Sequence, residues 1–138
     1  MITIKKQEIV KLEDVLHLYQ AVGWTNYTHQ PEMLEQALSH SLVIYLALDG
    51  DAVVGLIRLV GDGFSSVFVQ DLIVLPIYQR QGIGSALMKE ALKDYKDAYQ
   101  VQLVTEETEK NVGFYRSMGF EVLSTYDCIG MTWANREK

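Results

Sequence analysis

Residues 71–84 read DLIVLPIYQRQGIG, and this is the most informative stretch of the chain. An apolar strand ends at Pro76, a polar turn follows, and Gly82 and Gly84 open an amphipathic helix. Glycine lets a ligand approach the main chain closely, and the first-turn N–H groups of a helix carry the positive end of its dipole. The stretch therefore predicts a site for a phosphate or pyrophosphate, although a plain tight turn into a helix would use the same two glycines.

Two familiar phosphate-binding motifs are excluded for this stretch. A Walker loop requires Gly-x-x-x-x-Gly-Lys-Ser/Thr, which the sequence lacks. A dinucleotide-binding fingerprint would require a glycine at position 87, where the chain has Leu87.

The flanking sequence predicts a mixed, mostly antiparallel sheet of about seven strands with about four helices, in the α/β (α+β) class. The expected order is β-α-α-β-β-β-α-β-α-β-β, and the strand–helix–strand unit over 67–105 should be a right-handed crossover. Residues 24–30 read as a polar and aromatic loop. The predicted strands are 1–7, 42–48, 52–60, 67–75, 100–105, 120–124 and 128–133. The predicted helices are 11–22, 31–38, 83–95 and 111–118, the last closed by Gly119.

The chain has 138 residues, which predicts one domain over 1–138, and a net charge of −6. That charge argues against a nucleic-acid partner, because such partners need a clustered cationic surface.

We expect a cytoplasmic protein with no membrane segment, since its longest apolar run is far shorter than a bilayer requires. Cys128 is the only cysteine and is expected to be an inert strand residue. The three histidines show no metal-ligand spacing, so no metal is predicted.

Residues 79–84 fit the pattern Arg/Gln-x-x-Gly-x-Gly/Ala, which resembles the acetyl-CoA pyrophosphate loop of the GNAT superfamily of N-acetyltransferases. Two further motifs are similar to that family in type and place: Leu72-x-Val74-x-Pro76, and Asn111-x-x-x-Tyr115-x-x-x-Gly119-Phe120. The resemblance covers essentially the whole chain. Within the superfamily the sequence looks like bacterial and plastid members, to which the plastid serotonin N-acetyltransferases are similar.

The resemblance implies acetyl-CoA as cosubstrate. The family's strand before the loop splays from its parallel neighbour, so that its main chain pairs with the pantetheine arm and one N–H polarises the thioester carbonyl. The cofactor-binding residues implied in this sequence are Leu72, Ile73, Val74, Gln79, Arg80, Gln81, Gly82, Ile83, Gly84, Ser85, Asn111, Phe114 and Tyr115.

Tyr115 stands at the position of the family's general acid, which would protonate the leaving thiolate. The alternative is a packing residue beside Phe114. Asn111 would contact the cofactor, or cap its helix, or do both.

Asp71 is the candidate general base, because a carboxylate is unusual within an apolar strand unless it faces the site. Two alternatives stay open: Asp71 faces solvent or pairs with a buried partner, and an ordered water acts as the base.

Trp24, Thr25 and Tyr27 are expected to line the acceptor site, where an aromatic wall would suit a cationic amine. The alternative is that Trp24 caps the core. The predicted function is acetyl transfer to a primary amine, with a small molecule as the favoured acceptor. A CoA-binding sensor or partner-binding protein without turnover, and a protein N-terminal or lysine acetyltransferase, remain alternatives. The sequence leaves a homodimer open.

Overall fold

A computed structural model describes residues 1–134 of the chain. The chain divides after Leu103 into a first unit, Met1–Leu103, and a second unit that starts at Val104. A single domain over residues 1–138 stays a prediction.

The first unit is built on a five-stranded sheet in the order β1-β2-β3-β4-β5. Its first three pairings are antiparallel, and β4 pairs with β5 in parallel. The strands are β1 Ile2–Gln7, β2 Val43–Asp49, β3 Ala52–Gly61, β4 Ser66–Val74 and β5 Gln100–Leu103. The mixed, mostly antiparallel sheet and its central meander are therefore confirmed.

The helices are α1 Leu12–Ala21, α2 Thr25–Thr28, α3 Pro31–Ser39, α4 Ile83–Asp94 and, in the second unit, α5 Glu109–Ser117. The short helix α2 corrects the prediction of an irregular loop over residues 24–30. The main-chain N–H groups of Tyr27 and Thr28 donate to the carbonyl of Trp24, while the Trp24 and Tyr27 rings pack against the core. No helix within residues 1–134 is long and apolar enough to cross a membrane.

The sheet is covered on both faces, which explains why residues 54–59 of β3 are all buried. One face packs against α1 and α3 through an apolar cluster that includes Tyr19, Leu34 and Leu56. The other face packs against α4, where a Leu87 methyl group approaches the main chain of β3 at Gly55. The helices on the two faces of the sheet therefore fix the position of β4.

The two C-terminal strands expected over 120–124 and 128–133 are absent, since the described residues contain no strand after β5. Residues Leu123–Tyr126 form a 3-10 turn instead. The main-chain N–H groups of Thr125, Asp127 and Cys128 donate to carbonyls three to five residues earlier, so local bonds satisfy this backbone. Cys128 is exposed and lies outside any strand, contrary to expectation.

Gly55 provides a test of the contact between β3 and its neighbours. A Cβ at Gly55 would lie 2.9 Å from the carbonyl oxygen of Ile73 and 3.4 Å from a Leu87 methyl carbon. Gly55→Ala should therefore lower the free energy of unfolding by about 1–3 kcal/mol, as measured by urea denaturation.

The matched control is Gly113→Ala in the exposed face of α5, where a Cβ would meet no atom within 4 Å. That change should stabilise the protein by about 0.5–1 kcal/mol, because alanine is the better helix former. Equal effects of the two substitutions would contradict the close packing at Gly55.

Candidate active site

Strand β4 presents an open edge over its last five residues. The ladder to β5 runs only from Ser66 opposite Gln100 to Val69 opposite Leu103, whereas β4 continues to Val74. In the described part of the chain, residues 71–74 pair with β3 on one side, and residues 70–74 pair with no strand on the other. The edge can therefore accept an extended ligand as an added strand.

A β-bulge at Gln70 determines where Asp71 points. Val69 pairs with Leu59 and Asp71 pairs with Arg58, so Gln70 is passed over in the register. Cross-strand partners share a face and successive residues alternate, so the bulge places Val69 and Asp71 on opposite faces. Asp71 thereby faces Arg58 rather than the apolar packing against α4.

Asp71 lies at the centre of a buried hydrogen-bonded network. The Arg58 Nε donates to its Oδ2 at 2.7 Å, the Tyr19 hydroxyl donates to the same oxygen at 2.8 Å, and the Tyr27 hydroxyl donates to Oδ1 at 3.0 Å. Arg58 and Asp71 are only 4% and 3% exposed. Burial, and then the nearby Asp71 charge, raise the pKa of both Tyr19 and Tyr27, so both hydroxyls stay protonated and donate.

This geometry selects the alternative in which Asp71 pairs with a buried partner, while its service as a general base stays a prediction. Tyr27 links the predicted acceptor residues to the pair, because its hydroxyl also lies 3.3 Å from Arg58 Nη2. Trp24 packs against the core cluster and contacts the rings of Tyr19 and Tyr27, as the core alternative expected. Thr25 is exposed on α2.

The loop between β4 and α4 carries most of the predicted cofactor residues. Pro76–Tyr78 form a 3-10 turn, and α4 begins after Gly82, which has φ +78° and supplies no side-chain cap. The first-turn N–H groups of α4 thus lack intrahelical partners, as an anion site requires. Arg80 is exposed and has φ +66°, a left-handed conformation that is uncommon for arginine.

Gln79 of the loop, and the isoleucines Ile73 of β4 and Ile83 of α4 on either side of it, take more specific positions. The Gln79 side-chain amide donates to the carbonyl of Val74 at 3.1 Å, so it folds back on the end of β4. Ile83 and Ile73 are buried, which leaves their main chains as the groups that could face a ligand.

In the second unit, Asn111, Phe114 and Tyr115 all lie on α5. Thr108 caps this helix by accepting the Asn111 N–H at 3.1 Å, which excludes the alternative in which Asn111 is the cap. The Asn111 side chain donates to the Glu106 carbonyl at 3.3 Å. Gly119, with φ +97°, follows the C-terminal end of α5, as predicted.

Tyr115 combines features of both alternatives for its role. Its ring makes edge contacts with Phe114 and Phe120, so it does pack within the second unit. Burial raises the pKa of its hydroxyl, which keeps the proton that a general acid must supply.

The acetyltransferase (GNAT) domain profile matches residues 40–122 of this chain, a span that includes β4, its open edge and α4. The chain belongs to the GNAT acetyltransferase family. A GNAT family acetyltransferase from Streptococcus pneumoniae TIGR4 is 88% identical, covers 99% of both chains and superposes with a TM-score of 0.92.

Two further relatives are more distant. Serotonin N-acetyltransferase 2, a chloroplastic protein of rice (Oryza sativa subsp. japonica), is 33% identical over 95 residues, or 66% of this chain and 48% of the relative. The chain thus spans about half the length of this curated relative. The PaiA N-acetyltransferase of Thermoplasma acidophilum, solved with coenzyme A, is 19% identical with a TM-score of 0.68 over 87% of this chain and 91% of that one; this likeness shows the fold.

Within this GNAT domain, sequence reasoning missed two participants in the Asp71 network, Arg58 and Tyr19. Arg58 carried a signal, because it is the one charged residue in the apolar run of residues 52–60. A lone arginine and a lone aspartate on two adjacent predicted strands indicate a buried pair. Among residues 1–134 no group of three His, Cys, Asp or Glu side chains could hold a metal ion.

The buried pair predicts a large difference between two arginine substitutions. Arg58→Met leaves Asp71 as a buried, uncompensated charge and should lower the free energy of unfolding by about 3–5 kcal/mol. Arg116→Met removes the Arg116–Glu121 pair, whose side chains are 55% and 45% exposed, and should cost less than about 1 kcal/mol.

Urea denaturation of the two variants measures both costs. A double variant, Arg58→Met with Asp71→Leu, should recover part of the lost stability, because it removes both buried charges. If Arg58→Met is no worse than Arg116→Met, the buried pair does not stabilise the fold.

Proposed function

We propose that this protein transfers an acetyl group from acetyl-CoA to the primary amine of a small molecule by direct attack in a ternary complex. The observation that carries the proposal is the continuity of two features: the edge of β4 that is open over residues 70–74 leads directly into the loop and Gly82 at the start of α4. An extended amide-bearing arm fits the first and a pyrophosphate fits the second. Acetyl-CoA contains both in sequence.

The chain's own groups divide this binding between them. The main chain of Leu72, Ile73 and Val74 would pair with the pantetheine arm, and a main-chain N–H at this edge would polarise the thioester carbonyl. The main-chain N–H groups from Gln79 to Ser85 would hold the pyrophosphate, with the exposed Arg80 side chain available to a phosphate oxygen. Asn111 and Phe114 on α5 are proposed as further cofactor contacts.

The chemistry needs one acid and one route for a proton to leave. The amine nitrogen forms a bond to the carbonyl carbon, the carbon–sulfur bond breaks, and Tyr115 gives its phenolic proton to the departing sulfur. The proton that the acylated nitrogen then releases restores the Tyr115 hydroxyl. The acceptor enters as an ammonium and must first lose a proton. We favour an ordered water as its base, because both Asp71 oxygens accept hydrogen bonds from buried or half-buried side chains of the protein itself.

The acceptor is proposed to be a small aromatic or cationic amine. Trp24 directly precedes the short helix α2, and Tyr27 lies on it. Their rings would contact a cation or an aryl group. The rice relative is named for serotonin, an arylalkylamine. The net charge of −6 favours the approach of a cationic acceptor over that of an anionic one.

Acetyl-CoA binding and turnover test the proposal. Acetyl-CoA at about 100 times its dissociation constant should stabilise the fold by about 2.7 kcal/mol and raise the melting temperature by roughly 5–10 °C. Thiol release should then be measured with arylalkylamines, polyamines, a lysine peptide and a peptide with a free N-terminus.

The possible results separate the competing functions. No thermal shift at millimolar acetyl-CoA would eliminate the proposal. A shift without thiol release on any amine would favour a CoA-binding sensor, and preferred turnover of either peptide would assign the acceptor to proteins.

Tyr115→Phe tests the acid. Removing the hydroxyl should lower kcat about 100-fold with little change in acetyl-CoA affinity, because a positioned acid contributes in the transition state. Tyr126→Phe, which removes an exposed hydroxyl from the same unit, is the matched control and should leave kcat unchanged. An unchanged kcat in Tyr115→Phe would remove that role.

The pH profile gives a second measure of the same group. The active form of Tyr115 is the protonated one, and burial raises its pKa above the ordinary value of 10.0. The loss of kcat through Tyr115 should therefore be centred above pH 10, and Tyr115→Phe should lack this alkaline limb. An alkaline limb centred near pH 8 that disappears in Tyr115→Phe would contradict the assigned environment.

A further inference from the structure

The loop between β4 and α4 is fastened to the sheet by a tyrosine outside the predicted site. The Tyr78 hydroxyl donates to Asp49 Oδ2 at 2.7 Å, and Asp49 is the last residue of β2. We propose that Tyr78, acting through Asp49, is a positioning residue that holds this loop in the conformation that receives the pyrophosphate of CoA. The inference rests on the proposed function.

The loop needs such a restraint because little else determines its conformation. Residues 79–82 are all exposed, and a Cβ at Gly82 would meet no atom within 4 Å, so packing does not fix this part of the chain. Arg80 and Gly82 both have positive φ. A left-handed arginine persists only where the surrounding structure holds it.

The hydrogen bonds that hold it lie immediately before Arg80. Gln79 bonds to the Val74 carbonyl at 3.1 Å and so stays beside the strand from which the loop starts. Tyr78 is the residue whose side chain links the loop to a different strand. Before them, the Leu75 N–H donates to the carbonyl of Val54 at 2.9 Å, and Pro76 then ends the pairing with β3.

Asp49 is a fixed and charged acceptor. It pairs with Ile2 of β1 and with Ala52 across the β2–β3 hairpin, so its main chain belongs to the sheet. The hydrogen bond from Tyr78 is the main reason that the pKa of Asp49 lies below its ordinary value, and the same bond raises the pKa of Tyr78. Near neutral pH, a protonated donor therefore faces an ionised acceptor. The amino nitrogen of Met1 lies 3.4 Å from the other Asp49 oxygen.

Because the Tyr78 hydroxyl is bound to Asp49, its effect on the cofactor is indirect. Tyr78→Phe removes only the hydroxyl and leaves residues 79–82 unchanged. The loop should then sample more conformations. The cost should appear in CoA binding, as a Kd and an acetyl-CoA KM raised about three- to tenfold, with kcat changed less than about twofold.

Titration calorimetry with CoA, steady-state kinetics and hydrogen exchange on the ligand-free protein test this inference. Tyr78→Phe and Asp49→Ala should each weaken CoA binding, and the double variant should be no worse than either single one. Asp49→Asn keeps an oxygen acceptor and should restore part of the affinity. The amide of Gln79, whose N–H donates to the Pro76 carbonyl at 3.2 Å, should exchange faster in ligand-free Tyr78→Phe than in the wild type.

Tyr99→Phe is the matched control, because it removes a hydroxyl from a tyrosine of the same unit that is 82% exposed. It should alter neither CoA affinity nor exchange of the Gln79 amide. Failure of the wild type to bind CoA would eliminate the proposed function itself. Wild-type binding with an unchanged Kd in Tyr78→Phe would overturn this inference alone, and so would additive effects of the Tyr78 and Asp49 changes.

Discussion

The ion pair between Arg58 and Asp71 connects the two central strands to the helices that cover one face of the sheet. Arg58 belongs to β3 and Asp71 to β4, while the two tyrosines that donate to Asp71 come from α1 and α2. A buried charge is tolerated only where it is paired and hydrogen-bonded, so these four side chains must keep their mutual positions. They hold β4 in register and α2 against the sheet. The position of the open edge of β4 depends on that register.

The bulge that admits this pair also shapes the edge of β4. If Gln70 were paired regularly instead of forming a bulge, strand alternation would place Asp71 on the same face as Val69, against apolar side chains of the α4 layer. A bulge bends a strand and increases its local twist, and the pairing with β5 ends at Val69, directly beside it. One inserted residue thus accompanies both the buried acid and the open edge that the proposed cofactor would use.

Sequence patterns predicted the elements whose periodicity comes from a buried face. All five observed strands and the helices α1, α3, α4 and α5 were expected within a few residues of their bounds, because alternation or helical spacing marks the side that packs. Residues 120–133 have strand-like composition yet form no strand, since composition does not show whether a pairing partner is present. Helix α2 is a single turn, too short for periodicity, and the partner of Asp71 depends on a register that only the folded sheet defines.

The same reasoning explains how a chain of net charge −6 can offer a site to an anion. Charges on the exposed surface are screened within about 8 Å at physiological ionic strength, so the overall charge acts weakly on a phosphate already in contact. Within that distance the first-turn N–H groups of α4 dominate, because they are fixed dipoles that need no reorganisation to face the ligand. Their value depends on loop geometry rather than on the count of basic residues. Arg80 and Gly82 both have positive φ, so the hydrogen bonds of Tyr78 and Gln79 that flank this loop bear on the site through the direction in which those N–H groups point.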